Sequence, residues 1–178
     1  LIAASRDLKS IKVTLFGGEP LLEFEKIKIV VEYGKRRARQ WGKRIHFGCT
    51  TNATLINDEV IRFWRSYGMG FHTSIDGIPV CHDMHRRFAS GGGSSFLVEP
   101  GVKKILSYRP EVCARATVSP DTVRHLLDNV DYFYKLGYTH MAFVMSEGDD
   151  WDDVSLGLLA KGMEQMSEFY LDKCRKGV

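Results

Sequence analysis

Residues 11–22, with the sequence IKVTLFGGEPLL, join a strand-like run to a tight turn and the start of a helix. The run stops at Gly17-Gly18, two glycines that let a backbone approach a ligand closely. Glu19 adds a carboxylate, and Pro20 suits the first position of a helix. This acceptor-rich turn fits a ligand ammonium group, with an ordinary strand-to-helix turn as the alternative. The GxGxxG and GxxxxGK(S/T) spacings of phosphate-binding loops are absent from the sequence.

Strand-type and helix-type periodicity alternate along the rest of the chain. The pattern predicts strands at Ile11–Phe16, Ile45–Thr51, Gly70–Ile75, Val112–Val118 and Thr139–Met145. It predicts helices near residues 24–41, 58–67, 98–107, 123–137 and 153–176, and a long polar loop from His82 to Ser95. This alternation indicates an α/β fold around a parallel sheet. In such folds ligands bind at the carboxyl ends of the strands, so the residues after each strand are the informative ones.

Length and charge exclude several classes of protein. The chain has 178 residues, whereas a full (β/α)₈ barrel typically needs about 250. The formal charge of +3 does not suggest a nucleic-acid binder. The basic run over residues 35–44 lacks an aromatic stacking platform, which favours a solvated helix face. No apolar run approaches the roughly 18 residues of a membrane span, so we expect no membrane partner.

The four cysteines, Cys49, Cys81, Cys113 and Cys174, are far apart in the sequence. Zinc-ribbon, CxxC redox and cluster-binding spacings are therefore absent, and no metal ligands are predicted in this chain. Cys49 and Cys113 fall in strand-like runs, where a small buried thiol is expected. Nothing supports disulfides or secretion, so the sequence predicts a reducing cytoplasm.

Polar residues also follow the second and third strands. Asn52 lies after the second strand. Ser74 and Asp76 end the third strand, with His82-Asp83 and Arg86 further along. Each of these residues, taken singly, fits ordinary turn chemistry or a solvated charge.

Together, and in this order, the strand ends resemble those of the radical S-adenosylmethionine (SAM) enzymes. The subfamily with a C-terminal cluster-binding (SPASM) extension, which holds anaerobic sulfatase-maturating enzymes and peptide maturases, is the one that the chain resembles. Its strands end in FGGEPLL, in TNGTLL and in Ser-(Leu/Ile)-Asp-Gly, followed by His-Asp and an arginine twelve residues after the serine. Ser74 and Arg86 keep that spacing, whereas Ala53 replaces the family's glycine. The resemblance covers residues 11–145.

The resemblance implies a partial (β/α)₆ TIM-like barrel. Residues 1–178 would form one domain, a fragment of the radical SAM core that supplies about the second to sixth strands. The first strand and its CxxxCxxC loop, which holds a [4Fe–4S] cluster, are expected before Leu1. The fragment by itself is therefore expected to assemble no cluster and to be inactive.

The resemblance also implies a binding site for SAM. Gly17, Gly18 and Glu19 would accept hydrogen bonds from the SAM ammonium group, and Asn52 would lie on the same rim. Ser74 and Arg86 would hold the SAM ribose and carboxylate, and the forked guanidinium donors suit a carboxylate. His82 and Asp83 are expected to order the long loop. Asp76 would bond that loop's backbone or face the substrate, and the catalytic residues remain unknown.

The implied activity is reductive cleavage of SAM to a 5′-deoxyadenosyl radical for the modification of a peptide or protein. The implied partners are that substrate and a reductant such as flavodoxin or ferredoxin, with no nucleic acid. The alternative is a non-catalytic relative that keeps the barrel for peptide binding and has lost the cluster. A CxxxCxxC motif upstream would favour the enzyme. The sequence does not identify the substrate, the bond formed, the auxiliary clusters or the oligomeric state.

Overall fold

The computed structural model describes residues 2, 4, 5 and 7–177. Strands and α-helices alternate along these residues, except where two helices follow the third strand. The strands are β1 (Ser10–Leu15), β2 (Arg44–Thr51), β3 (Gly70–Ser74), β4 (Cys113–Val118) and β5 (His140–Met145). The helices are α1 (Phe24–Gln40), α2 (Asp58–Tyr67), α3 (Pro79–His85), α4 (Ser95–Tyr108), α5 (Leu126–Leu136) and α6 (Asp153–Arg175). Short 3₁₀ segments, Pro20–Glu23 and Val123–His125, precede α1 and α5.

The predicted strands agree with the observed strands to within one residue at each end, but the predicted loop after β3 is wrong in part. Residues 82–85 belong to α3, and α4 begins at Ser95, three residues before the predicted helix. Helix α3 has only seven residues and starts on Pro79, which suits a first helical turn. So short a helix, rich in polar side chains, presents too few apolar positions for its period to be recognised.

The chain divides into two compact units, of which the first comprises Leu1–Ser74 and Leu97–Val112. Its strands pair in parallel in the order β1-β2-β3, with Ile11 opposite Ile45 and Cys49 opposite Phe71. Because the strands are parallel, their carboxyl ends lie along one edge of this sheet. The turn after β1, the turn after β2 and Ser74 follow that edge.

Aromatic packing holds α1 and α2 on the sheet of the first unit. Trp64 of α2 is fully buried and stacks on Phe71 of β3, with ring centroids 5.0 Å apart, and on Phe24 of α1 at 5.8 Å. Asn57 caps α2 by accepting a hydrogen bond from the Val60 N–H, and Gly68 ends the helix in the left-handed conformation. These contacts fix the start of β3 relative to α2.

The second unit comprises Ile75–Phe96 and Cys113–Val178. Strands β4 and β5 pair in parallel, and α5 and α6 cover an apolar cluster around Val118 and Leu126. Helix α6 begins at the cap Asp152, whose carboxylate accepts from the Ser155 N–H at 2.8 Å. Of the neighbouring acidic residues Asp149, Asp150, Asp152 and Asp153, Asp152 is thus the N-cap of α6. None of the helices within the described ranges is long and apolar enough to cross a membrane.

Candidate functional site

In the first unit, Glu19 joins the turn after β1 to the turn after β2. Its Oε1 accepts hydrogen bonds from the Leu21 N–H at 3.0 Å and from the Thr51 hydroxyl at 2.8 Å. Its Oε2 accepts from the Asn52 N–H at 2.7 Å. A carboxylate has about four lone-pair sites, so one acceptor position on Oε2 remains for a further donor. The structure therefore brings Glu19 and Asn52 together, as the strand-end pattern predicts for this edge of the sheet.

Gly17 and Gly18 leave their backbone open. A Cβ atom added to either glycine would meet no heavy atom within 4 Å, and neither glycine has a positive φ. Tight internal packing or a left-handed turn therefore does not require them. Two exposed glycines beside a carboxylate let a ligand reach the main chain, which fits the ammonium group that the motif predicts.

The turn after β2 holds strain at the position where this chain departs from the family pattern. Ala53 has a φ of 63°, the only positive φ of a non-glycine residue among residues 2, 4, 5 and 7–177. A non-glycine residue in this region typically costs about 1–2 kcal/mol. The Asn52 side chain closes the turn by accepting from the Thr54 N–H and hydroxyl. Ala53 therefore occupies a conformation that favours the family's glycine.

Ser74 is the last residue of β3 and is half-buried. It lies at the carboxyl edge of the first unit's sheet. Arg86, the residue with which the spacing pairs it, belongs to the second unit and directly follows α3.

In the second unit, Arg86 forms a two-point ion pair with Asp76. Its Nε lies 2.5 Å from Asp76 Oδ2, and its Nη2 lies 3.0 Å from Oδ1. The Asp76 carboxylate is buried and also accepts from the Thr117 N–H of β4 at 2.8 Å. Asp76 thus bonds the arginine of the loop and the backbone of β4. The Asp76 carboxylate therefore bonds the loop through the Arg86 side chain, and not through the loop's backbone as the sequence analysis expected.

His82 and Asp83 order the loop after α3, as expected. His82 Nδ1 accepts from the Asp76 N–H at 3.3 Å, so Nε2 carries the proton and donates to the Ser94 hydroxyl at 3.0 Å. The Asp83 carboxylate accepts from the N–H and the hydroxyl of Ser95, at 2.8 and 2.7 Å. It therefore caps the start of α4. Ser94 and Ser95, which the sequence did not single out, complete the network.

A second cluster of polar side chains follows β4. The Ser119 hydroxyl lies 2.5 Å from Asp121 Oδ1 and 3.1 Å from His85 Nε2. Asp121 Oδ1 also lies 3.1 Å from the same Nε2. A catalytic triad would place the carboxylate on Nδ1. This arrangement therefore does not activate Ser119 as a nucleophile.

The stability of the loop network should depend on pH through His82. Burial lowers the pKa of His82, and Arg86 lowers it further, while Asp76 and Asp83 raise it. The folded state therefore holds a neutral ring, while the unfolded chain binds a proton below about pH 6.5. The stabilisation is complete above that pH and is lost as the pH falls toward the lower folded pKa.

We therefore expect the free energy of unfolding to fall as the pH drops below about 6.5, by about 1.4 kcal/mol for each unit of pKa difference. Urea titrations at several pH values measure this slope. In His82→Gln the slope should be smaller, whereas His46→Gln, at an exposed position of β2, should keep it. Equal slopes in wild type and His82→Gln would show that His82 does not titrate as argued.

The cysteines do not form a metal site in the described residues. No group of three or more His, Cys, Asp or Glu side chains there is arranged to hold a metal ion. Cys49 and Cys81 are buried, Cys113 is half-buried and Cys174 is exposed. Burial and the nearby Glu19 carboxylate raise the pKa of Cys49 to about 12. The thiolate is the form that binds a metal, so the raised pKa disfavours Cys49 as a ligand, and these residues do not fit a [4Fe–4S] cluster.

Several curated proteins are similar to this chain in sequence, although no family model matches it. A serine-type anaerobic sulfatase-maturating enzyme of Bacteroides thetaiotaomicron is 29% identical over 140 residues, which are 78% of this chain and 33% of the relative. A cysteine-type anaerobic sulfatase-maturating enzyme of Clostridium novyi is 27% identical over 133 residues, 72% of this chain and 34% of the relative. An uncharacterized protein of Methanocaldococcus jannaschii is 28% identical over 133 residues, 75% of this chain and 46% of the relative. The chain therefore spans about a third to a half of the length of the curated relatives it matches.

Solved structures of anSMEcpe are similar to this chain in fold. A structure of histidine-tagged anSMEcpe with bound AdoMet (SAM) matches 96% of this chain and 46% of its own, with a TM-score of 0.83 and 19% identity. A second, of native anSMEcpe with bound AdoMet and Kp18Cys peptide, also has a TM-score of 0.83, with 96% and 49% of the two chains covered and 19% identity. The α/β class and the partial barrel are confirmed. In sequence and in fold, this chain is similar to the anaerobic sulfatase-maturating enzymes.

Proposed function

We propose that this chain is part of a radical SAM core that binds SAM and serves the modification of a peptide or protein. The sequence similarity to two named sulfatase-maturating enzymes carries the proposal. Both solved structures described above have AdoMet bound, and one of them also holds a peptide, which supports both the cofactor and the class of substrate. A cytoplasmic reductant such as flavodoxin or ferredoxin would supply the electron.

The proposed SAM contacts are Gly17, Gly18, Glu19, Asn52, Ser74 and Arg86. In the first unit, the open glycine backbone and the remaining acceptor position of Glu19 suit the ammonium group. In the second unit, two of the five guanidinium N–H groups of Arg86 donate to Asp76, and three remain for a ligand carboxylate. Bound SAM would supply the 5′-deoxyadenosyl group that takes a hydrogen atom from the substrate.

We further propose that residues 1–178 belong to one radical SAM core domain. The [4Fe–4S] ligands would come from another part of the full-length protein, because the described residues offer no such set. The relatives are two to three times as long as the matched region, which leaves room for these ligands.

The test is to count the 5′-deoxyadenosine formed per enzyme after reduction of the anaerobically reconstituted full-length protein. Arg86→Ala and Ser74→Ala should each impair formation, and Arg86→Ala should weaken SAM binding roughly tenfold to a hundredfold, as expected for a lost hydrogen bond to a charged group. Arg87→Ala is the matched control, because Arg87 is exposed and its guanidinium donates to the Asp83 carbonyl rather than to a carboxylate.

Two outcomes would contradict the proposal. A loaded wild-type protein that forms no 5′-deoxyadenosine would favour a non-catalytic, peptide-binding relative. If Arg87→Ala were the damaging change and Arg86→Ala were silent, the spacing from Ser74 would be assigned one residue too short.

A further inference from the structure

Arg86 is held at three separate points within the second unit. Its backbone N–H donates to the His82 carbonyl at 2.8 Å, and its backbone carbonyl accepts from the Ser94 hydroxyl at 2.8 Å. Its guanidinium is held by both oxygens of Asp76. These hydrogen bonds therefore fix the backbone of Arg86 and hold its side chain in one rotamer.

The ion pair uses one edge of the guanidinium and leaves the other open. Nε and Nη2 face Asp76, so both N–H groups of Nη1 and the second N–H of Nη2 remain. The Arg86 side chain is 32% exposed, whereas the Asp76 side chain is 5% exposed. Buried Asp76 thus binds one edge of the Arg86 guanidinium, and the exposed edge can bind a ligand carboxylate.

Asp76 is itself anchored without help from Arg86. The Thr117 N–H of β4 donates to Oδ1 of Asp76, and the Asp76 N–H donates to His82 Nδ1. His82 extends the connection. Its Nε2–H donates to the Ser94 hydroxyl, which in turn donates to the Arg86 carbonyl. One chain of hydrogen bonds therefore connects the anchored aspartate to the backbone of Arg86.

We propose that Asp76 and His82 are positioning residues that hold Arg86 in its ligand-ready orientation before the ligand binds. A long arginine side chain otherwise loses rotamer freedom on binding, and ordering it in advance removes that cost. Asp76 acts through Arg86, and His82 through Ser94. The identity of the ligand as SAM rests on the proposed function, whereas the positioning of Arg86 does not.

The first test needs no ligand. In full-length protein with ¹⁵N-labelled arginine, NMR measures how fast the Arg86 Nε–H exchanges with solvent. We expect slow exchange in wild type and at least tenfold faster exchange in Asp76→Asn, because the amide no longer supplies two anionic acceptors. Unchanged exchange in a folded Asp76→Asn protein would overturn the positioning role, whatever ligand the protein binds.

The second test uses SAM and its decarboxylated analogue, which lacks the group that Arg86 would hold. The ratio of their dissociation constants isolates the contribution of the carboxylate. Arg86→Ala should reduce this ratio tenfold or more, Asp76→Asn should approach the same value, and the double variant should be no worse than Arg86→Ala alone. Wild-type discrimination in Asp76→Asn, or additive effects in the double variant, would overturn the inference.

Ser94→Ala provides a milder variant in case Asp76→Asn does not fold. It removes only the hydroxyl that holds the Arg86 carbonyl, and it should reduce the ratio by a few-fold. The matched control is Ser95→Ala, whose hydroxyl bonds Asp83 and not Arg86, and it should keep the wild-type ratio. Equal ratios in these two variants would contradict the role of the His82–Ser94 connection. If wild type showed slow Nε–H exchange but did not bind SAM, the proposed function would fail and the positioning role would stand.

Discussion

Replacing Glu19 by alanine is expected to lower the free energy of unfolding by about 2–4 kcal/mol and to weaken SAM binding roughly tenfold to a hundredfold. The change removes an acceptor for three donors, the Leu21 N–H, the Thr51 hydroxyl and the Asn52 N–H. Thr51 is 1% exposed, so its hydroxyl would be left buried and without this acceptor. An unsatisfied buried polar group typically costs about 1–3 kcal/mol.

Two further variants separate the structural role of Glu19 from its proposed binding role. Glu19→Gln keeps a carbonyl acceptor but removes the charge, so it should recover much of the stability and little of the SAM affinity. Glu23→Ala removes a carboxylate four residues away that is 62% exposed and pairs only with Lys26 among the described contacts. It should change stability by less than about 1 kcal/mol. Denaturant titration and SAM titration of the anaerobic protein measure both effects. If Glu19→Ala kept both its stability and its SAM affinity, the bracing and the binding roles would both be wrong.

A second large effect is expected for Gly77→Ala, which should lower the free energy of unfolding by about 2–5 kcal/mol. Gly77 has a φ of +132°, a conformation that L-residues rarely adopt. A Cβ atom there would lie 2.0 Å from Asn129 Oδ1, the atom that accepts from the Ile78 N–H. Asn129 is buried, so its displacement would break that hydrogen bond and leave polar atoms unsatisfied.

Gly91→Ala is the matched control, because Gly91 also has a positive φ, of +89°, but an added Cβ would meet nothing within 4 Å. It should show only the backbone cost, about 1–2 kcal/mol. Thermal or urea unfolding of both variants gives the comparison. Equal losses of unfolding free energy in the two variants would contradict the prediction. They would mean that the Asn129 side chain can move away from residue 77 without destabilising the protein.

Local patterns in the sequence predicted the strands and most helices closely. Periods of two and of about 3.6 residues arise from backbone geometry, so they can be recognised wherever a segment is long enough. Helix α2 was predicted with its observed bounds, residues 58–67, whereas the seven-residue α3 was missed. The difference is one of length, because α3 has fewer than two full turns in which to display an apolar face.

The residues of the candidate site were identifiable from motifs, but most of their partners were not. Glu19 and Arg86 stood out by type and spacing. That Thr51 bonds Glu19, and that Asp76 takes both the Arg86 guanidinium and the Thr117 N–H, could not be predicted. These contacts join residues 32, 10 and 41 positions apart. Which loops meet depends on how strands and helices pack together.

The sequence by itself determined the α/β alternation, the placement of polar residues at the strand ends and the resemblance to a radical SAM family. Only the tertiary structure decided that Glu19 braces two turns, that Ala53 takes a left-handed conformation and that Asp76 occupies one edge of Arg86. The physical reason is the range of the interactions involved. Periodicity and turn chemistry act over a few residues, whereas a buried carboxylate must be satisfied by whichever donors the fold brings to it.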